Sequence, residues 1–266
     1  MRRQLFAAAG IVAATLMIAS LAAAQQPAPQ KWYVLHQEFA RPGMIQQYED
    51  TAREYIALLR QHHDALPKTE WITVAGDGFV YTYLIPIENY AALDKVLAGF
   101  GVLIPAVGEE RWKDLMKRGG AATEFIRESI MMEDTSLSYV PAKPRLKPEE
   151  ERYLHVDLYY VQEGNEPEAA ALAKDSVELF RKKGVPDGYR LFTVFVGAEM
   201  PLMIVTVAAK DAADYAAREQ ANRELLGAEG QALLQRALAL TRRFESHNGW
   251  LRPDISLEPL KPAPGK

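Results

Sequence analysis

Apolar and polar residues alternate with period two from Trp32 to Ala40, which predicts a strand with one face of each character. From Pro42 to His62 the period lengthens. Tyr48, Ala52, Tyr55, Ile56 and Leu59 recur at helical spacing, so an amphipathic helix follows. Glu70 to Ala75 and Phe79 to Ile87 return to strand character, and Gly76-Asp77-Gly78 between them supplies the chemistry of a tight hairpin turn. Two helical pieces, about Tyr90 to Ala98 and Val107 to Arg118, lead to a last strand near Thr123. The order is β-α-β-β-α-β.

The same order is then written again: a strand from Tyr153 to Val161, a helix from Pro167 to Lys183, strands Tyr189 to Val196 and Leu202 to Ala208, helices Ala212 to Leu226 and Glu229 to Arg242, and a strand near Phe244. Punctuation repeats with it. Gly43 and Gly164 lie 121 positions apart, as do Gly76 and Gly197, and the helix stripe at Tyr48, Ala52, Tyr55, Ile56 and Leu59 falls opposite Ala169, Ala173, Ser176, Val177 and Phe180. Asn89 and Asp211 stand as N-caps before alanine-rich helices that end at Gly99 and Gly227. Phe125 to Ser129 aligns with Arg242 to Ser246, which places Glu128 opposite Glu245. The fold class expected is α+β: two tandem ferredoxin-like units, 32–138 and 152–256, joined by a proline-bearing linker at 139–151 and pairing into one α/β barrel. Each unit covers one sheet face with its helices and leaves the other to be buried against its twin.

In this element order and internal repeat the chain resembles the dimeric α/β-barrel superfamily, in tandem-fused form, and within it the NIPSNAP-type and antibiotic-biosynthesis-monooxygenase-type proteins. The resemblance covers nearly the whole chain after residue 31 and implies a cavity-bearing barrel. Its members range from cofactor-free oxygenases to haem enzymes to proteins without established activity, so it implies no single chemistry.

The first 24 residues have the composition of a secretory signal: Arg2 and Arg3, an uncharged apolar stretch from Leu5 to Leu21, then Ala22-Ala23-Ala24 before Gln25. Residues 25–31 form a polar spacer and 257–266 a proline-rich tail, both expected to be disordered. A bacterial periplasmic or secreted protein is expected, with no stable membrane insertion once the signal is cleaved. The 266 residues include no cysteine, so stability must come from packing rather than disulfides. Without Arg2 and Arg3, 29 of the 31 basic residues face 35 acidic ones, a net charge of −6 that disfavours nucleic acid as a partner. The oligomeric state is not fixed by the sequence.

Candidate chemistry gathers on the first strand of each unit. Tyr33, Leu35 and Phe39, and in the second unit Leu154, Val156, Leu158 and Tyr160, form an apolar face suited to packing under helices. The opposite face carries His36 and Glu38, then His155, Asp157 and Tyr159, and is expected to look into the space between the two units. Because His36 aligns with Asp157, both sets should meet there. Three readings fit: a satisfied hydrogen-bond network, a general base in which a carboxylate orients neutral His36 or His155, or a His-x-Glu and His-x-Asp metal site. Glu128 and Glu245 are added as ligand-binding candidates near the starts of the fourth strands. His247, before Asn248-Gly249, reads as an exposed turn, and His62-His63-Asp64 as a solvated helix end.

Trp71, Phe79, Tyr81, Tyr83, Phe192, Phe195 and Met203 are either pocket lining or core. Gly184 to Gly188 formally matches the Gly-x-x-Asp-Gly string of dye-decolourising peroxidases, but a helix C-cap and a Pro-Asp-Gly turn account for it. No nucleophile elbow, phosphate-binding glycine loop or zinc-protease motif occurs, so the reading assigns no cofactor and no metal. The function expected is binding of a small, partly apolar molecule between the two units. The alternatives are a cofactor-independent oxygenase or isomerase with a His base, and a noncatalytic interaction module.

Overall fold

The computed structural model describes residues 30–62, 70–94 and 103–257. The signal segment 1–24, most of the spacer, His63, Asp64, Gly99 and the tail from 258 onward lie outside the described residues. Eight strands form one closed antiparallel barrel: β1 (Lys31–Ala40), β2 (Ile72–Gly76), β3 (Val80–Ile87), β4 (Thr123–Glu133), β5 (Tyr153–Val161), β6 (Arg190–Val196), β7 (Leu202–Ala209) and β8 (Thr241–Leu251). Their order around the barrel is β1-β3-β2-β8-β5-β7-β6-β4. The first four strands are thus contiguous, as are the last four. Two short seams join them, Val74–Gly76 against Gly249–Leu251 and Ile130–Glu133 against β6.

The helices are α1 (Ile45–Gln61), α2 (Leu103–Val107), α3 (Glu109–Ala122), α4 (Glu166–Lys183) and α5 (Ala212–Ala239). Asp211 caps α5 as its sequence predicts, accepting from the Asp214 amide at 2.8 Å. Two helical segments are present within α5 as expected, separated by a kink at Gly227, which takes φ 59° and ψ −146°, a conformation a side chain would resist. Gly184 closes α4. Among the described residues no helix is long and apolar enough to cross a membrane.

The two faces of the barrel wall are assigned the other way round from the sequence expectation. Tyr33 and Leu35 of β1 pack with Val156, Leu158 and Tyr160 of β5 and with Phe192 and Ile204, a cluster of strand residues from both halves that fills the barrel. Val34 of β1 packs instead with Tyr48, Ile56 and Leu59 of α1, so Val34 and its face-mates His36 and Glu38 lie under helices. The physical reason is room. A closed eight-stranded barrel leaves an interior that apolar side chains from all round it fill, whereas the layer outside it brings the Tyr48 hydroxyl of α1 to Glu38. The amphipathic rule for open sheets therefore fails here, and His36 and Asp157 do not meet in one space.

The linker is tied down. Tyr139 and Tyr189 exchange backbone hydrogen bonds of 3.0 Å, and Arg145 donates to Asp187 at 2.7 Å and to both oxygens of Asp214. Asp187 also accepts from Arg218 and Asn222. This carboxylate of the Gly-x-x-Asp-Gly string is therefore engaged in holding the linker to α5, consistent with the turn reading of that string.

Candidate functional site

His36 on β1 stands opposite Glu128 on β4 and Tyr83 on β3, so three strands bring their side chains to one face. Its Nδ1 lies 2.8 Å from Glu128 Oε1 and its Nε2 lies 3.1 Å from Glu38 Oε1. From above, Tyr48 of α1 donates to the other Glu38 oxygen at 2.5 Å, and the Tyr48 and Tyr83 hydroxyls are 2.7 Å apart. Since the one Tyr48 hydroxyl hydrogen is directed at Glu38, Tyr83 must be the donor in the second bond. A continuous line of hydrogen bonds results: Tyr83, Tyr48, Glu38, His36, Glu128. Tyr48 is 3% exposed and the Glu128 side chain 55%, so the line runs from the core to solvent.

That line forms the polar wall of a cavity of about 690 Å³ between the barrel and the α1 and α3 helices, whose other walls include Tyr55, Ile56, Trp71, Ile85 and Leu115. Burial alone would lower the His36 pKa, but the hydrogen bonds and charges of Glu38 and Glu128 outweigh it and the net shift is upward. A neutral ring could donate to only one of its two carboxylates, so the imidazolium is the better-bonded form. The carboxylates at its two ring nitrogens thus favour the protonated form. Tyr48 and Tyr83 are pushed the same way, chiefly by burial, and stay neutral hydroxyls.

A separate polar group forms on β5 and β8. His155 Nδ1 lies 2.9 Å from Asn248 Oδ1, its Nε2 lies 3.1 Å from both Asp157 Oδ1 and the Ser246 hydroxyl, and Ser246 donates to Asp157 at 2.7 Å. The ring stacks on Tyr215 of α5 with centroids 4.2 Å apart. Serine and carboxylate share one ring nitrogen, whereas a hydrolytic triad needs them on opposite nitrogens, so this is not one. The His155 pKa is raised, since Asp157 and Asn248 outweigh burial. Asp157 and Tyr159 line a second cavity of about 720 Å³ under α4 and α5.

Glu245 does not join either group. It pairs in register with Leu158, which turns it to the barrel side, where it lies 3.5 Å from the Tyr160 hydroxyl and 3.0 Å from Arg243. The sequence alignment of Glu128 with Glu245 is one residue out. Thr123 and Thr241 occupy matching positions beside the β-bulges after Phe39 and Tyr160, so Ser246 is the counterpart of Glu128. In a strand a one-residue slip reverses the face. His247 lies within β8 rather than in a turn, with its side chain 52% exposed.

Of the aromatic and methionine candidates, Trp71 and Tyr83 line the first cavity and Met203 the second; Phe79 and Phe195 are exposed, and Tyr81 and Phe192 are core. Sequence reasoning missed the hydroxyls of Tyr48 and Tyr83 as functional groups, and Ser246, Asn248 and Tyr215. The signal was present in the α1 stripe, where Tyr48, Thr51 and Tyr55 put hydroxyls on a face read only as apolar. Among the described residues no group of three or more His, Asp or Glu side chains is placed to hold a metal ion.

No protein-family model and no curated protein matches the chain. Solved structures do. An anthrone oxidase-like protein superposes with a TM-score of 0.53 at 17% identity, over 84% of this chain and 94% of that one. A proposed monooxygenase from Lactobacillus acidophilus gives 0.53 at 8%, over 86% and 96%. Chlorite dismutase from Candidatus Nitrospira defluvii, in complex with imidazole, gives 0.50 at 11%, over 84% and 92%. The chain therefore shares the α+β-barrel fold of these proteins. Proteins with three different activity names share that fold, so function has to be argued from the site.

Proposed function

We propose that the chain binds a small, partly apolar molecule in the cavity under α1 and α3, rather than between its two halves, and moves a proton between that molecule and solvent. The observation that carries this is the hydrogen-bonded line from buried Tyr83 through Tyr48, Glu38 and His36 to exposed Glu128. The cavity has the size and mixed lining of a small-molecule site. Trp71 on its wall provides a reporter. A hydroxyanthraquinone probe should quench tryptophan fluorescence saturably, and Ala52→Phe, which fills the cavity from α1, should abolish the effect. Saturable quenching that survives Ala52→Phe refutes this site.

A second reading builds on the first: cofactor-independent oxidation of a carbon acid, in which Glu38 receives the substrate proton through Tyr48 and His36 passes it to Glu128. The proton line supports it, as do the oxidase and monooxygenase names borne by proteins of the same fold. With anthrone the balance is one anthrone plus one dioxygen giving anthraquinone plus one water. His36→Gln interrupts the line and should lower that rate by ~10²-fold or more. Equal rates for the two proteins would exclude the His36 line from the oxidation.

We read residues 32–138 and 152–256 as two copies of one unit, of the NIPSNAP-like and antibiotic-biosynthesis-monooxygenase-like kind, and residues 1–24 as a signal that sends the chain to a bacterial periplasm or beyond. Protein recovered from that compartment should begin at Gln25 on N-terminal sequencing.

A further inference from the structure

Three polar atoms of residues lining the second cavity have no hydrogen-bond partner among the described residues, and none of them is sealed inside the wall. The first is Asp157 Oδ2. His155 and the Ser246 hydroxyl both approach Oδ1 instead, and the Asp157 side chain is 22% exposed. The other two are the hydroxyls of Tyr159, two residues further along the same face of β5, and of Tyr215 on α5, both partly exposed. The first cavity is different in this respect, because Tyr48 closes there on the second oxygen of Glu38.

The charges around these atoms say what kind of molecule suits them. Burial first, then the Asp157 charge, pushes the Tyr159 pKa up, and burial, Asp157 and Glu219 do the same for Tyr215, so both phenols stay neutral in a field set by carboxylates. The neighbouring His155 is engaged at Asp157 Oδ1 and stacked on the Tyr215 ring. Arg145, Arg218 and Arg223 on the wall are already bonded to carboxylates, so none is left to receive an anion. The rest of the lining, including Leu172, Leu179, Met203 and Val205, is largely apolar. We infer that the cavity under α4 and α5 is a second binding site, for a partly apolar primary amine whose ammonium is held by Asp157 Oδ2 and the Tyr159 and Tyr215 hydroxyls. An ammonium has three N–H donors and no acceptor, bonds strongly to a carboxylate and is attracted to aromatic faces. Its apolar tail is covered by the leucines. This site is independent of the one under α1 and α3: it has its own cavity and lacks the proton line.

Met203 on this wall and Met116 on the wall of the first cavity make the two sites separately visible. With isotope-labelled methionine methyls followed by NMR, 4-phenylbutylamine should move the Met203 resonance saturably and leave Met116 in place. 4-Phenylbutan-1-ol, the same chain with a neutral head, should bind about tenfold more weakly, and the anion 4-phenylbutyrate more weakly still. Asp157→Asn should bring the amine down to the affinity of the alcohol. Tyr159→Phe removes a hydroxyl without a protein partner, so it should weaken amine binding several-fold at an unchanged melting temperature. His155 adds a readout that a merely apolar pocket would not move. An ammonium at Oδ2 competes with the imidazole proton for one carboxylate, so the amine should lower the His155 titration midpoint and the alcohol should leave it nearly unchanged. Absence of a Met203 shift at millimolar amine overturns the proposal, as does equal affinity for amine and alcohol. Amine binding that survives both Asp157→Asn and Tyr159→Phe unchanged also overturns it, because the ammonium would then be held elsewhere.

Discussion

His36 is bonded to a carboxylate at each ring nitrogen, and its behaviour follows from that arrangement. Its titration midpoint, followed by NMR of the ring, should lie above the ordinary value of about 6.5. Glu38→Gln should lower the midpoint more than Glu128→Gln, because Glu38 is the stronger of the two contributions holding the proton on. A midpoint at or below the ordinary value would mean that burial dominates and the ring is neutral. Tyr48 is tested differently. Tyr48→Phe removes the donor to Glu38 and the acceptor of the Tyr83 proton together, leaving a carboxylate oxygen under a helix without its partner. The expected loss is about 1–3 kcal/mol in urea unfolding, and a variant as stable as wild type would show that water replaces the hydroxyl freely.

At the scale of elements, the period of the pattern located most strands and helices, because periodicity follows from geometry that a sequence carries locally. Which face turned inward was not legible in the same way, since that depends on how closely the helices approach the barrel. The site residues show the difference. His36, Glu38 and Glu128 were named from sequence and do converge, whereas Glu245 was placed by an alignment that ignored one residue of register, and His155 with Asp157 forms a separate group. Gly76 and Gly197 look equivalent in the repeat but are not. An ideal Cβ at Gly76 meets its nearest neighbours at 3.5 Å, whereas at Gly197, with φ +90°, it would fall 2.0 Å from the Glu128 carbonyl oxygen. Gly197→Ala should therefore cost about 2 kcal/mol or more and, by pushing the β6–β7 turn off β4, weaken the His36–Glu128 contact. Gly76→Ala should cost less. Equal effects of the two substitutions on melting temperature and on the His36 titration would contradict this account of the turn.

The described residues form one packed barrel with cavities under its helices, and its stability is bounded by pH from both sides. Glu49 of α1 and Asp254, just beyond β8, are both held down to about 2, first of all by hydrogen bonds from Arg252. A carboxylate whose pKa falls on folding contributes fully above its unfolded value, about 4, and the contribution disappears as pH drops through the folded value. His36 and His155 are shifted the opposite way, because carboxylates and an amide oxygen outweigh burial. Their contribution is complete below an unfolded value of about 6.5 and is lost as pH rises through the raised folded one. The melting temperature should accordingly be highest between about pH 5 and pH 6, falling on both sides. The two limbs separate by mutation: Glu49→Gln should make the acid side shallower, Asp254, Asp187 and Asp214 keeping the rest of it, and leave the alkaline side unchanged, whereas His36→Gln with His155→Gln should leave the acid side unchanged and flatten the alkaline one. An alkaline decline that persists without both imidazoles would assign it to other groups and remove the raised histidines from the account of this protein's stability.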